Sequence, residues 1–141
     1  MSMGCPLLDQ LPHRTFDDDG AHVVELDIVD EIRGPAGAVH GGVVASLVDR
    51  AGAYEVVRSA GGTVVTSSVA LSYLAAAKVG PLRAVARTLR LGRQQGVAEV
   101  HVYDVGRNDL LVATALITLS LLPGGGVAPT VGASTGTPTP S

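Results

Sequence analysis

Cysteine, aromatic residues and charge are all scarce in this 141-residue sequence, and each scarcity closes off a class of function. Cys5 is the only cysteine, so an intramolecular disulfide is impossible, and a metal site would have to rest on histidines and carboxylates. It stands in a mixed N-terminal stretch with only His13 and Arg14 as nearby cationic groups, which makes it a bystander rather than a nucleophile. Aromatics make up 3% of the chain and tryptophan is absent, so stacking platforms for single-stranded nucleic acid are nearly missing. The net charge of −3 gives no general attraction to nucleic acid either. No run reaches the roughly 20 apolar residues that span a bilayer. Residues 1–10 lack the charged and apolar regions of a secretory signal. No His/Cys/acid cluster has ligand spacing, so a metal-dependent enzyme is not expected. The expectation is a cytoplasmic protein without a membrane segment.

What the sequence does hold is 46% hydrophobic residues, enough for one core in one domain, built from Val, Leu, Ile and Ala. Residues 1–20 read as an N-terminal segment, closing in a solvated turn at Asp17 to Gly20. Residues 22–32 alternate imperfectly and predict a first strand, and residues 33–39, with Gly34, Pro35 and Gly37, a loop. A helix is predicted over 41–60, stopped by Gly61 and Gly62. Strands follow over 63–74, 82–91, 97–105 and 110–122, with a hairpin loop at Gly92 to Gly96. From Pro123 the composition turns to Gly, Pro, Thr and Ser, which predicts a disordered tail over 123–141. The folded domain is thus expected over 21–122. Strand, helix and consecutive antiparallel strands define an α+β domain with one helix against a meander-rich sheet.

The predicted helix carries a broad apolar stripe of Val43, Val44, Leu47, Val48, Ala51 and Tyr54. Its other side, with Ala45, Asp49, Gly52, Ala53 and Val56, is small and mostly apolar too, which predicts burial nearly all round. A carboxylate on that side loses hydration, which would make Asp49 a better base. The bland alternative is an Asp49 that forms an ordinary ion pair. His40, Gly41 and Gly42 stand at the helix start, where the first N–H groups lack partners and the dipole is positive. Two glycines admit another molecule to those groups, the geometry that stabilises an oxyanion. Here the bland alternative is a glycine-rich helix start with His40 as its cap. Gly41 and Asp49 lie about 12 Å apart along one helix. One carbonyl cannot touch both, so a joint action requires two subunits related by a two-fold axis.

The stretch from Gly37 through His40, Gly41 and Gly42 to Asp49 resembles the signature of hotdog-fold acyl-CoA thioesterases, of the phenylacetate-pathway and 4-hydroxybenzoyl-CoA thioesterase type. Residues 72–80, a strand ending in an aromatic followed by a turn, are similar to that family as well, and the resemblance spans about 22–122. It implies an antiparallel sheet wrapped around one long central helix, oligomeric as a dimer or dimer of dimers, and an acyl-CoA hydrolase needing no cofactor. It implies Asp49 as general base or nucleophile, with the Gly41 N–H group, beside Gly42, on the thioester carbonyl. His40 would orient the substrate, Thr66 would hold water or carboxylate, and Ser68 would stand in for Thr66. One departure is Gly34, where family members commonly carry an Asn six residues before the His.

Four arginines fall in one run, Arg83, Arg87, Arg90 and Arg93, and in an acidic protein such a run suits the phosphates of coenzyme A. Arg90 and Arg93 are the favoured pair, against the alternative of solvated strand edges. His22 and His101 read as ordinary strand histidines. Two other functions compete: a non-catalytic acyl-CoA binder, and a hotdog hydratase or dehydratase, whose His and acid spacings are absent here.

Overall fold

The computed structural model describes residues 6–123. A short helix α1 (Pro6–Asp9) leads into a hairpin of β1 (His13–Asp18) and β2 (Ala21–Leu26). A 3-10 turn over Asp30–Ile32 precedes the long helix α2 (Gly41–Ala60). Then come β3 (Val64–Tyr73), β4 (Leu82–Leu91), β5 (Gln95–Asp104) and β6 (Leu110–Leu121). The six strands form one antiparallel sheet in the order β1-β2-β4-β5-β6-β3, with α2 laid across one face. This is the hotdog architecture, an α+β sheet around a single long helix. The predicted C-terminal tail lies, after Pro123, outside the described residues.

The helix spans the predicted residues because its ends are marked. Gly61, at a φ of 76°, takes a conformation that a Cβ disfavours, and its N–H closes on the Val57 carbonyl at 2.7 Å. Its inner face packs Val44, Leu47, Val48, Ala51 and Val56 on Ala84, Ala86, Ala98, Val100, Ile117 and Leu119 of the sheet. Packing is close enough that a Cβ at Gly52 would stand 2.5 Å from Ile117 Cγ2. That explains the glycine at position 52: it admits the sheet.

Three expectations need correction. β1 lies within residues 1–20, before the predicted start of the sheet, and pairs along its length with β2 around a two-residue Asp19–Gly20 turn. The first predicted strand ends at Leu26 rather than residue 32. The helix is not buried all round, because Gly42 and Asp49 are exposed in the single chain. Strand β3 is the sheet's far edge, and among the described residues it has no neighbour beyond it.

Candidate active site

The helix tip is built from backbone. The His40 N–H donates to the Ile32 carbonyl at 2.9 Å, and its own carbonyl accepts from Val43 and Val44 at 3.0 and 3.3 Å. The N–H groups of Gly41 and Gly42 come before those bonds, so the helix offers them no acceptor. His40 holds the N-cap position through its backbone carbonyl, while its exposed imidazole makes no capping bond. A Cβ at Gly42 would meet nothing within 4 Å, which leaves the tip open to a ligand.

Tyr73, absent from the predicted site, sits at the tip. Its hydroxyl donates to the Gly41 carbonyl at 2.6 Å, and a Cβ at Gly41 would stand 3.1 Å from the ring. The Gly41 carbonyl and the Gly42 N–H belong to one planar peptide unit. Tyr73 therefore fixes the direction of the Gly42 N–H. The sequence signal was an aromatic at the end of β3, but the contact joins residues 32 apart in the chain and depends on the fold.

The loop behind the tip is held from several sides. The Val39 N–H donates to the Ala77 carbonyl at 2.9 Å. Arg107 and Arg33 donate to the carbonyls of Ala76 and Lys78 at 2.6 and 2.8 Å. Buried Asp104 accepts the N–H groups of Lys78, Val79 and Gly80 at 2.8, 3.0 and 2.6 Å. Burial pushes the Asp104 carboxyl upward, but the three N–H donors and the Arg107 charge outweigh it and hold the group below its ordinary value. Its stabilising contribution is therefore complete above the ordinary carboxylate range and is lost as pH falls through the lowered value. Asp104→Asn is expected to destabilise the fold by about 2–3 kcal/mol at neutral pH. It should also shrink the loss of stability on acidification, as read by chemical denaturation between pH 3 and pH 7.

Asp49 projects from the exposed side of α2 toward β3. Its Oδ1 accepts the Thr66 hydroxyl at 2.5 Å, which leaves Oδ2 free of that bond. The expected desolvation is not met in one chain, where the side chain is open to solvent. Ser68 does not share Thr66's side. A bulge between Thr66 and Ser68 shifts the register, so Thr66 pairs with buried Leu119 on the helix face while Ser68 pairs with Thr118 on the outer face. With Thr66 on the helix face are Val69, Leu71 and Tyr73.

Of the arginine run, Arg83 binds Glu25 at 2.7 Å and Arg87 the Asp19 carbonyl at 2.8 Å. Arg90 and Arg93 instead line an open cleft of about 860 Å³ with Gln94, Gln95 and Ser120. His101 lies 3.4 Å from Glu99. His22 is buried against Tyr54, with Nδ1 2.8 Å from Asp17.

With fold and geometry in place, comparison with known proteins gives a consistent result. The family model of the Thioesterase superfamily matches residues 36–110, just over half the chain and the part holding the helix tip, Asp49 and Thr66. The chain belongs to the thioesterase superfamily. It is similar to a conserved protein of Pseudomonas aeruginosa at 29% identity, covering 85% of this chain and 96% of that one with a TM-score of 0.76. It is similar to AziG of S. sahachiroi at 27% identity, covering 82% and 95% with a TM-score of 0.74. The PaaI protein of the E. coli phenylacetic acid degradation operon shares the fold at 23% identity, covering 86% and 88% with a TM-score of 0.76. No curated protein matches the sequence.

Proposed function

We propose that this protein hydrolyses acyl-CoA thioesters at a site shared between two copies of the chain. The observation that carries this is the separation of two half-sites on one helix. The open N–H groups stand at its tip, and Asp49, oriented by Thr66, stands about 12 Å further along. Strand β3 suggests how a second copy supplies the other half. It is a ten-residue edge without a charge or a proline, and it exposes Val65, Val69 and Tyr73. Such an edge is a template for pairing with another chain. Pairing two β3 strands antiparallel about a two-fold axis sets the two α2 helices side by side and opposed, tip toward Asp49.

In that arrangement the Gly41 and Gly42 N–H groups polarise the thioester carbonyl and receive the negative charge of the tetrahedral intermediate. Asp49 of the other copy takes a proton from the attacking water, or attacks the carbonyl itself to form a mixed anhydride that water then opens. Collapse of the intermediate expels the coenzyme A thiolate, which leaves free acid. His40 orients the substrate beside the tip, and Arg90 and Arg93 bind its phosphates. The direct test incubates the protein with a panel of acyl-CoAs and a thiol reagent. Steady release of thiol with at least one member is expected, and no release from any member would sink the hydrolase reading.

Tyr73 acts here as a positioning residue. Tyr73→Phe is expected to lower kcat roughly threefold to tenfold with KM within about twofold, the loss expected for one weakened oxyanion donor. A change in KM alone would deny it that role.

One observation favours a second reading, an acyl-CoA binder without turnover. A Cβ at Gly34 would lie 3.7 Å from the His40 ring, so an asparagine there would rest against it, and this chain lacks that amide. Binding without thiol release on the same panel distinguishes this reading.

A further inference from the structure

We infer that the N-terminal segment walls a subsite for a neutral, apolar acyl group beside the helix tip; this rests on the acyl-thioester reading above. A cleft of about 560 Å³, within the range of small-molecule pockets, lies between α1 with its following turn and the first turns of α2. Leu7, Leu8, Leu11, Ile32 and Val43 line it, and it opens on Gly42. Gly42 belongs both to the tip and to the lining of the cleft, and a Cβ there would meet nothing within 4 Å among the described residues, so an acyl group whose carbonyl is held at the tip stands at the cleft's mouth. Leu8 is buried, whereas Leu7 at the rim is 65% exposed, an apolar surface that a bound chain would cover.

The wall is fixed in place. Asp9, next to these leucines, takes a 2.9 Å ion pair from Arg50, whose side chain is 4% exposed. The Pro12 carbonyl accepts the Asp27 N–H at 3.0 Å. A buried guanidinium holds its carboxylate partner firmly, because separating them leaves the charge uncompensated. Arg50 adjoins Asp49 in sequence, so the same turn of α2 that carries the acid also anchors the wall.

The polar groups set the chemical class. Ser46 directs its hydroxyl to the Gly42 carbonyl at 2.9 Å rather than into the cleft. Among the described residues, Glu31 is the only charged one in the lining, and it is exposed. The described lining thus offers no cation to a second carboxylate and places a negative charge near its path. Medium-chain or aromatic acyl groups fit, and dicarboxylic half-thioesters do not.

The test measures kcat/KM for acetyl-, butyryl-, hexanoyl-, octanoyl- and succinyl-CoA, in parallel with calorimetric binding of the non-hydrolysable thioethers S-methyl- and S-octyl-CoA. In the wild type, kcat/KM should rise roughly threefold for each methylene buried, and succinyl-CoA should fall below butyryl-CoA. Val43→Phe fills the cleft from the helix side and should cost octanoyl-CoA at least tenfold more than acetyl-CoA, and S-octyl-CoA binding at least tenfold more than S-methyl-CoA binding. Leu7→Ser alters only an exposed side chain and should lower the octanoyl preference by about threefold. Thiol release without chain-length dependence, or equal losses for short and long acyl groups in Val43→Phe, would overturn the subsite and leave the hydrolase reading standing. An absence of release, together with S-octyl binding that Val43→Phe weakens, would retain the subsite and remove the hydrolase. Equal binding of both thioethers in wild type would overturn the subsite whatever the turnover.

Discussion

Asp49→Ala is expected to lower kcat for thiol release by at least about a hundredfold, the scale of a lost acid–base group. Chain folding should be unaffected, since Asp49 is exposed and its carboxylate bonds, among the described residues, to the exposed Thr66 hydroxyl. Substrate affinity should change little, because the helix tip, the cleft beside Gly42 and the Arg90–Arg93 cleft are all intact. Asp49→Asn keeps shape and the Thr66 bond but cannot accept a proton from water, and it should be nearly as inactive. Stopped-assay kinetics with a thiol reagent, alongside calorimetric binding of S-octyl-CoA, separates loss of chemistry from loss of binding. An Asp49→Ala protein within about tenfold of wild type would place the catalytic group elsewhere.

Val69→Lys at the centre of β3 should be comparably damaging while leaving Asp49, Thr66 and the glycine tip in place. Val69 is 41% exposed on an edge strand that has no charge of its own, and an edge lysine is the device by which sheets refuse a partner strand. Sedimentation should show a dimer or larger assembly for the wild type and a folded monomer for the variant. Thiol release should fall at least about a hundredfold, because a tip without a facing carboxylate forfeits the base. A monomer with wild-type activity would show that one chain is a complete enzyme.

Much of the fold was legible because its signals are local. The helix limits follow from the glycines that flank it, and β4 to β6 from alternation and their hairpin turns. Strand β1 was not legible: His13 to Asp18 is polar and mostly exposed, so a strand at the sheet's other edge needs no apolar face to announce it. The bulge at Ser67 belongs to the pairing of β3 with β6 and has no signature in β3 alone, where plain alternation puts Ser68 on the same face as Thr66. Asp49 and the glycine tip were visible as a spacing on one helix. Tyr73 was not, nor was the role of residues 7–11, since both depend on contacts between distant parts of the chain. Arg50 illustrates the same limit. A charged residue next to Asp49 reads as solvated, yet its side chain is buried by Asp9 and the segment that carries it.

The shared site is tested most directly by mixing two defective chains. Asp49→Ala removes the acid, and Gly42→Val sets a branched side chain in front of the tip, where the wild type has open space. Each alone should be inactive. Denatured together in equal amounts and refolded, half of the dimers are mixed and each mixed dimer holds one intact site, so about a quarter of wild-type activity should return. Recovery to that level is the predicted result. A mixture no more active than its parents would mean that tip and acid serve the substrate from the same chain or not at all.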